Sequence, residues 1–280
     1  SGSCRVHATP LWPWPRRTLV AMLAEVQQAI GTRPIHEPLI LLADFDGTLV
    51  EFAIDPASPV LSTERREWLQ ALESRRDTFV GLVSGRPIAD LRVRAPLSPS
   101  AYYAGLHGLE IDGPTRAFRH EGSSAARAFV AELTRALQEA KGDFPGAVVE
   151  PKGASVSFHV RGVVPTDRAM AIATADAEAR PWIERGQLRR LDGHAVVEYL
   201  PNVAWNKGDA VRWIGADVAA RAGRRGFVVF LGDDRSDEDA FDAVAHGIGV
   251  VVGNRPSRAA YRLPSIAHVD QLLRWLTDTR

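Results

Sequence analysis

A chain of 280 residues, 45% of them hydrophobic, has room for one large domain or two modest ones around a substantial core. Lys plus Arg and Asp plus Glu each number 34, so no net basic field invites nucleic acid, and no nucleic-acid partner is expected. The lone Cys4 excludes an internal disulfide and fits a reducing cytoplasm, and no apolar run approaches the roughly 18–20 residues that cross a membrane.

Residues 1–36 form a first segment. PLWPWPRR is a proline-broken aromatic lead-in. Arg16 and Arg17 ahead of TLVAMLA have the outline of a signal peptide, but Glu25 and Gln27 follow without a small-residue cleavage site. Leu19, Met22, Leu23, Val26 and Ile30 recur at helical spacing up to Gly31, which predicts an amphipathic helix.

The chain is organised around LILLADFDGTLV at residues 39–50. Five apolar residues bounded by a turn signal predict a strand buried on both faces, as in a parallel sheet. Asp44 and Asp46 then stand beyond its carboxyl end, where ligands bind in open α/β sheets. Gly47 lets the backbone turn so that the two carboxylates can converge. A helix over 63–73 with Ser62 or Thr63 as its cap, a strand over 79–83 ending in Ser84-Gly85-Arg86-Pro87, and a third strand over 102–106 ending in His107-Gly108 repeat the strand–turn–helix unit.

From about residue 112 the texture changes. Two Ala-rich helices, over 124–141 and from about 165 to 180, lie among four strands at 147–150, 154–161, 187–191 and 195–199. That pattern predicts a separate α+β module over 112–200 inserted into the first. The parallel pattern resumes with a helix opened by Lys207-Gly208, a strand at 227–231 ending in Gly232-Asp233-Asp234, a helix over 237–244, a strand at 248–252 and a closing helix over 269–277. The fold class is α/β, a Rossmann-like doubly wound parallel sheet over 37–111 and 201–280, carrying the α+β insert.

Asp44, Asp46, Ser84, Lys207, Asp233 and Asp234 therefore stand at strand ends or helix starts of one sheet. Carboxylate oxygens suit Mg²⁺, which shares itself with substrate phosphate, while a Lys and a hydroxyl neutralise the transferring group. An aspartate nucleophile with a reference pKa of about 3.9 is already ionised at neutral pH.

In order, DFDGT, VSGRP, the Lys of NKGDA and GDDRSDEDAF resemble the four motifs of the haloacid dehalogenase-like phosphatase superfamily. Within it the chain resembles the trehalose-6-phosphate phosphatases, through SGR, GLHGLE at 105–110, VEPKGASVSFHVR at 148–161 and VVEYLPNVAWNKG at 196–208. Ser236 in place of the usual Thr, and Tyr199-Leu200-Pro201 in place of a more basic stretch, depart from that pattern. The resemblance implies an inserted cap and Mg²⁺-dependent hydrolysis of trehalose 6-phosphate in trehalose biosynthesis, by a cytoplasmic monomer. The catalytic residues it implies are Asp44 (nucleophile), Asp46 (acid and base), Ser84 and Lys207. Mg²⁺ would be held by Asp44, the Asp46 carbonyl, Asp233 and Asp234, with Asp237 nearby. Arg86, His107, Gly108, Glu150, Lys152, His159, Arg161 and Glu198 would contact the small-molecule sugar phosphate. Other readings are a phosphatase for the phosphates of sucrose, glucosylglycerol or mannosylglycerate, a phosphotransferase, or a regulatory protein on a dead enzyme fold.

Overall fold

The computed structural model describes residues 19–279, so PLWPWPRR and Cys4 lie outside the described residues. Helix α1 (Leu19–Gly31) opens the fold. The apolar run that follows is strand β1 (Leu39–Ala43), with all five residues buried. Neither face of β1 can go to water, because Leu39, Leu41 and Ala43 enter one core while Ile40 and Leu42 enter another. Val26, Ala29 and Ile30 of α1 lie in the first of these cores, so the amphipathic helix is part of the main body.

The chain continues through α2 (Thr63–Glu73), β2 (Thr78–Val83), α3 (Ile88–Arg94), β3 (Tyr102–Gly105), β4 (Glu110–Asp112) and β5 (Ala117–Arg119). Ser62 caps α2 by accepting the Arg65 backbone N–H. A second sheet follows, from α4 (Glu121–Ala140), β6 (Val148–Pro151), β7 (Val156–His159), α5 (Arg168–Glu184), β8 (Leu188–Gly193) and β9 (Val196–Pro201). The chain returns through α6 (Lys207–Ala222), β10 (Phe227–Gly232), α7 (Glu238–Ala243), β11 (Gly247–Val252), β12 (Tyr261–Leu263) and α8 (Ile266–Asp278).

The larger sheet has the order β12-β11-β10-β1-β2-β3-β4-β5. It is parallel from β12 to β3 and antiparallel at β4 and β5. The change of sheet therefore falls near His120, not at residue 112, because the hairpin β4–β5 extends the large sheet. Ala43 is in register with both Leu231 and Leu82, which brings the carboxyl ends of β1, β10 and β2 side by side.

The smaller sheet is antiparallel, ordered β6-β7-β9-β8. Val149, Val156, Phe158, Val197 and Tyr199 pack on one face against α4 and α5, where small residues (Ala126, Ala171, Ala175, Ala179) admit close approach. Helix α5 runs on to Glu184 through Pro181, which leaves the Ala177 carbonyl without its in-helix N–H partner. Period-two alternation turns Glu150, Ser157 and Glu198 to the other face, as directly opposed neighbours on β6, β7 and β9.

Candidate active site

The end of β1 makes the corner on which everything else converges. Asp44 still donates its backbone N–H to Leu231 in ladder fashion, and its side chain accepts the Phe45 N–H at 2.7 Å. Gly47 then adopts φ +82°, the left-handed region. A Cβ there would fall 2.2 Å from Asp233 Oδ2, so only glycine lets this turn approach the β10 loop. Thr48 donates to Asp233 Oδ1 at 2.9 Å and closes the same gap.

Lys207, the first residue of α6, is 2% exposed and reaches Asp44 Oδ2 at 2.9 Å and Asp237 Oδ1 at 2.7 Å. Asp237 is fully buried, and its other oxygen accepts the backbone N–H groups of Asp233 and Asp234 at 3.0 and 2.9 Å. The Arg255 guanidinium donates to the carbonyls of Asp233 and Asp234 and braces the same loop. The carboxylates of Asp44, Asp233 and Asp237 lie within 4.8 Å of one another. Burial, and then repulsion from Asp237, push Asp44 up to about 7 against the pull of Lys207. Burial, Asp44 and Asp237 push Asp233 up to about 9. Ionisation at neutral pH, expected from the reference value, is therefore opposed in the metal-free chain. A buried, all-oxygen donor set short of positive charge fits a hard divalent cation.

A pH effect follows from this. Protonated Asp233 and Asp44 suit the metal-free fold, so their contribution to stability is lost as pH rises from the ordinary carboxylate range through about 7 and 9. The Tm in EDTA is expected to fall between pH 6 and 9, and the Tm gained on adding Mg²⁺ to grow over the same range. A gain independent of pH, read by differential scanning fluorimetry, would contradict that electrostatic account.

Asp46 has a different partner. Arg86 holds it as a fork, Nε to Oδ2 at 2.6 Å and Nη2 to Oδ1 at 2.7 Å. The same guanidinium bonds Asp90 Oδ2 at 2.9 Å and the Pro56 carbonyl at 2.9 Å. Arg94 donates to the carbonyls of Ala57 and Pro59, and Arg161 to that of Ala53 at 2.7 Å. Three arginines thus pin loop 51–60 by its main chain. Ser84 holds the next loop, its hydroxyl accepting the Arg86 N–H at 3.3 Å and its carbonyl the His107 N–H at 2.9 Å.

The smaller sheet roofs this corner. One cleft is lined by Asp44, Asp46, Ser84, Arg86 and Lys207 on one side and by Glu150, Lys152, Ser157, His159 and Glu198 on the other. Glu198 is the hub, accepting from Lys152 at 2.9 Å and Ser155 at 2.6 Å, with His107 Nε2 at 3.3 Å. Burial would raise Glu198, but Lys152 and His107 hold it well below the usual carboxylate range. Burial lowers His107, against Glu198, while Lys152 is raised, because Glu198 and Glu150 outweigh its burial. His159 pairs with Glu150 at 2.8 Å.

The sequence-derived residues divide accordingly. All four catalytic candidates line the cleft, as do Arg86, His107, Glu150, Lys152, His159, Arg161 and Glu198. Gly108 does not. Its carbonyl accepts from Trp205 Nε1 at 2.7 Å, and a Cβ there would meet Ala210, so it serves packing against α6. Arg161 lines the cleft but directs its guanidinium at the carbonyls of Ala53 and His194 and stacks over Phe52. Among the metal candidates Asp44 and Asp233 share the carboxylate group, whose third member is Asp237. The side chain of Asp234 instead accepts the Arg235 N–H, and that of Asp46 is paired to Arg86. Sequence reasoning missed Phe52, Ser155, Ser157 and His194. The alternation of SVSFH carried a signal for both serines, and nothing local marked Phe52 or His194.

The family model "Trehalose-phosphatase" matches residues 42–266. A trehalose-phosphate phosphatase of Mycobacterium bovis is 36% identical over 276 residues, covering 92% of this chain and 68% of that protein. The structure of the Candida albicans trehalose-6-phosphate phosphatase C-terminal domain superposes with TM-score 0.77 at 19% identity, over 95% of this chain and 98% of that one. The Synechocystis sucrose-phosphatase, in complex with sucrose and phosphate, has TM-score 0.51 at 17% identity, over 86% and 98%.

Proposed function

Because the chain belongs to the trehalose-phosphatase family, we propose that its cleft hydrolyses trehalose 6-phosphate to trehalose and phosphate, as a step in trehalose biosynthesis. The observation that carries the reading is the pairing, across one cleft, of a phosphoryl-transfer corner with a buried charged network of Glu150, Lys152, Glu198 and His107. The corner suits phosphate of any ester. The network suits a ligand with many hydroxyls.

In the first step an oxygen of Asp44 attacks phosphorus, and the bond from phosphorus to the sugar oxygen breaks. Asp46 delivers the proton that the leaving oxygen needs, then takes one from the water that cleaves the aspartyl-phosphate. Lys207, set by Asp237, and Ser84 stand where they can neutralise and orient phosphoryl oxygens. Asp44, Asp233 and the Asp46 carbonyl would hold Mg²⁺, with Asp237 orienting Lys207 and the loop; the cation, when bound, offsets the charge on the transferring group. The smaller sheet acts as a cap that supplies the sugar contacts and excludes water. Among the described residues no helix is long and apolar enough to cross a membrane.

The test is phosphate release from the 6-phosphates of trehalose, sucrose and glucose, beside para-nitrophenyl phosphate. Trehalose 6-phosphate is expected to be preferred. Lys152→Ala removes a charged donor on the sugar side and is expected to lower kcat/KM for it about 5–150-fold, the range for losing one buried partner. The aryl phosphate, with no sugar to grip, should change little. Equal rates on all three sugar phosphates, or equal losses on both substrate types, would overturn the trehalose reading.

A further inference from the structure

The row that faces the cleft from the smaller sheet has a middle member that the known chemistry leaves unused. Ser157 stands on β7 directly opposite Glu150 on β6 and Glu198 on β9. Opposed residues share a face with Cβ atoms about 4.5–5.5 Å apart, so the Ser157 hydroxyl lies between the two acids. It lines the cleft, the residue is fully buried, and its Oγ has no hydrogen-bond partner. Its neighbours are all paired: Ser155 with Glu198, Lys152 with Glu198, and His159 with Glu150. Only Ser157 is idle within that row.

A buried hydroxyl without a partner costs about 1–3 kcal/mol relative to an apolar residue of the same shape. The other side of β7 shows what folding alone would place there, since Val156 and Phe158 fill the helix-facing core. Alanine at 157 would pack on the cleft face at no such cost. We propose that Ser157 is a sugar-reading residue whose hydroxyl is completed by a hydroxyl of the bound substrate. The inference rests on the sugar-phosphate reading above. A serine can donate to one sugar oxygen and accept from the same or another hydroxyl, which its acidic neighbours cannot do when ionised. Between two carboxylates it would favour a ligand hydroxyl that donates to Glu150 or Glu198 and accepts from Ser157. That pattern selects a hydroxyl of a neutral sugar over an aryl or alkyl group. The Oγ is buried in the free protein, so seating a sugar hydroxyl on it requires the surrounding side chains to shift.

Ser157→Ala deletes one atom and tests this cleanly. Because the hydroxyl has no partner in the free protein, the variant's Tm is expected to equal or exceed that of the wild type. On the sugar phosphate the wild type prefers, kcat/KM is expected to fall about 5–150-fold. The loss should fall mainly in KM, as for a contact made equally in ground and transition states. Hydrolysis of para-nitrophenyl phosphate should be unchanged, and inhibition by free trehalose should weaken in parallel. A lower Tm with equal losses on both substrates would make Ser157 structural and overturn the proposal, as would an unchanged KM for the sugar phosphate. If the wild type prefers another sugar phosphate, the trehalose reading falls while Ser157 is still judged on that substrate.

Discussion

Asp44→Asn is expected to stop turnover while leaving the fold intact. The amide oxygen is a poor nucleophile, and no aspartyl-phosphate can form for water to cleave, so kcat should fall by at least about 10⁴-fold, as for removal of other enzymic nucleophiles. The fold should survive for reasons visible in the site. Lys207 loses its 2.9 Å partner but keeps Asp237 at 2.7 Å. The substitution also removes a buried carboxyl that its surroundings already push toward neutrality, up to about 7. In EDTA the variant should therefore melt no lower than the wild type at pH 8. Phosphate release, circular dichroism and intact-mass detection of a phosphorylated chain check the three parts. Turnover within tenfold of wild type would exclude Asp44 as nucleophile.

Asp46→Asn is expected to slow both half-reactions, by about 10²–10⁴-fold, the usual range for general acid–base catalysis. The Arg86 fork, at 2.6 and 2.7 Å, adds a condition. Both oxygens of the carboxylate are taken by the guanidinium. To reach a leaving sugar oxygen it must therefore give up at least one arm of the fork when substrate arrives. An asparagine offers the fork one oxygen and one amide donor, so it should also loosen Arg86 and the loop bound to it. Aryl phosphates, whose leaving group needs no proton, should lose less in the first half-reaction. Single-turnover formation of the phosphorylated chain separates the steps. Identical losses on the sugar and aryl substrates would remove Asp46 from the acid role.

What the sequence disclosed depended on how local the physics was. Strand β1 was readable because a strand buried on both faces must be apolar throughout, and LILLA is. The smaller sheet was readable because one wet and one dry face impose alternation on residues such as those of β7. The hairpin β4–β5 was not, since its three-residue strands carry charges and no period. It is positioned by distant partners, such as Arg92 to Asp112 at 3.1 Å. The Arg86–Asp46 fork spans 40 positions and leaves no local mark. The left-handed φ of His107, +57°, is equally silent, because glycine is the usual sign of that conformation and histidine is not. Gly47 was legible as a turn, but its clearance from Asp233 belongs to a loop 186 positions away.

Loop 51–60 has one further consequence, for how such a protein can change over evolutionary time. The arginines that hold it all grasp carbonyl oxygens, at Ala53, Pro56, Ala57 and Pro59. Every amino acid presents the same carbonyl, so these anchors are blind to what projects from Ala53 or Ala57. Substitutions along the loop need only keep its backbone shape, while replacing Arg86, Arg94 or Arg161 removes an anchor. A rim of the cleft built this way can exchange its surface chemistry one position at a time without the catalytic corner being disturbed.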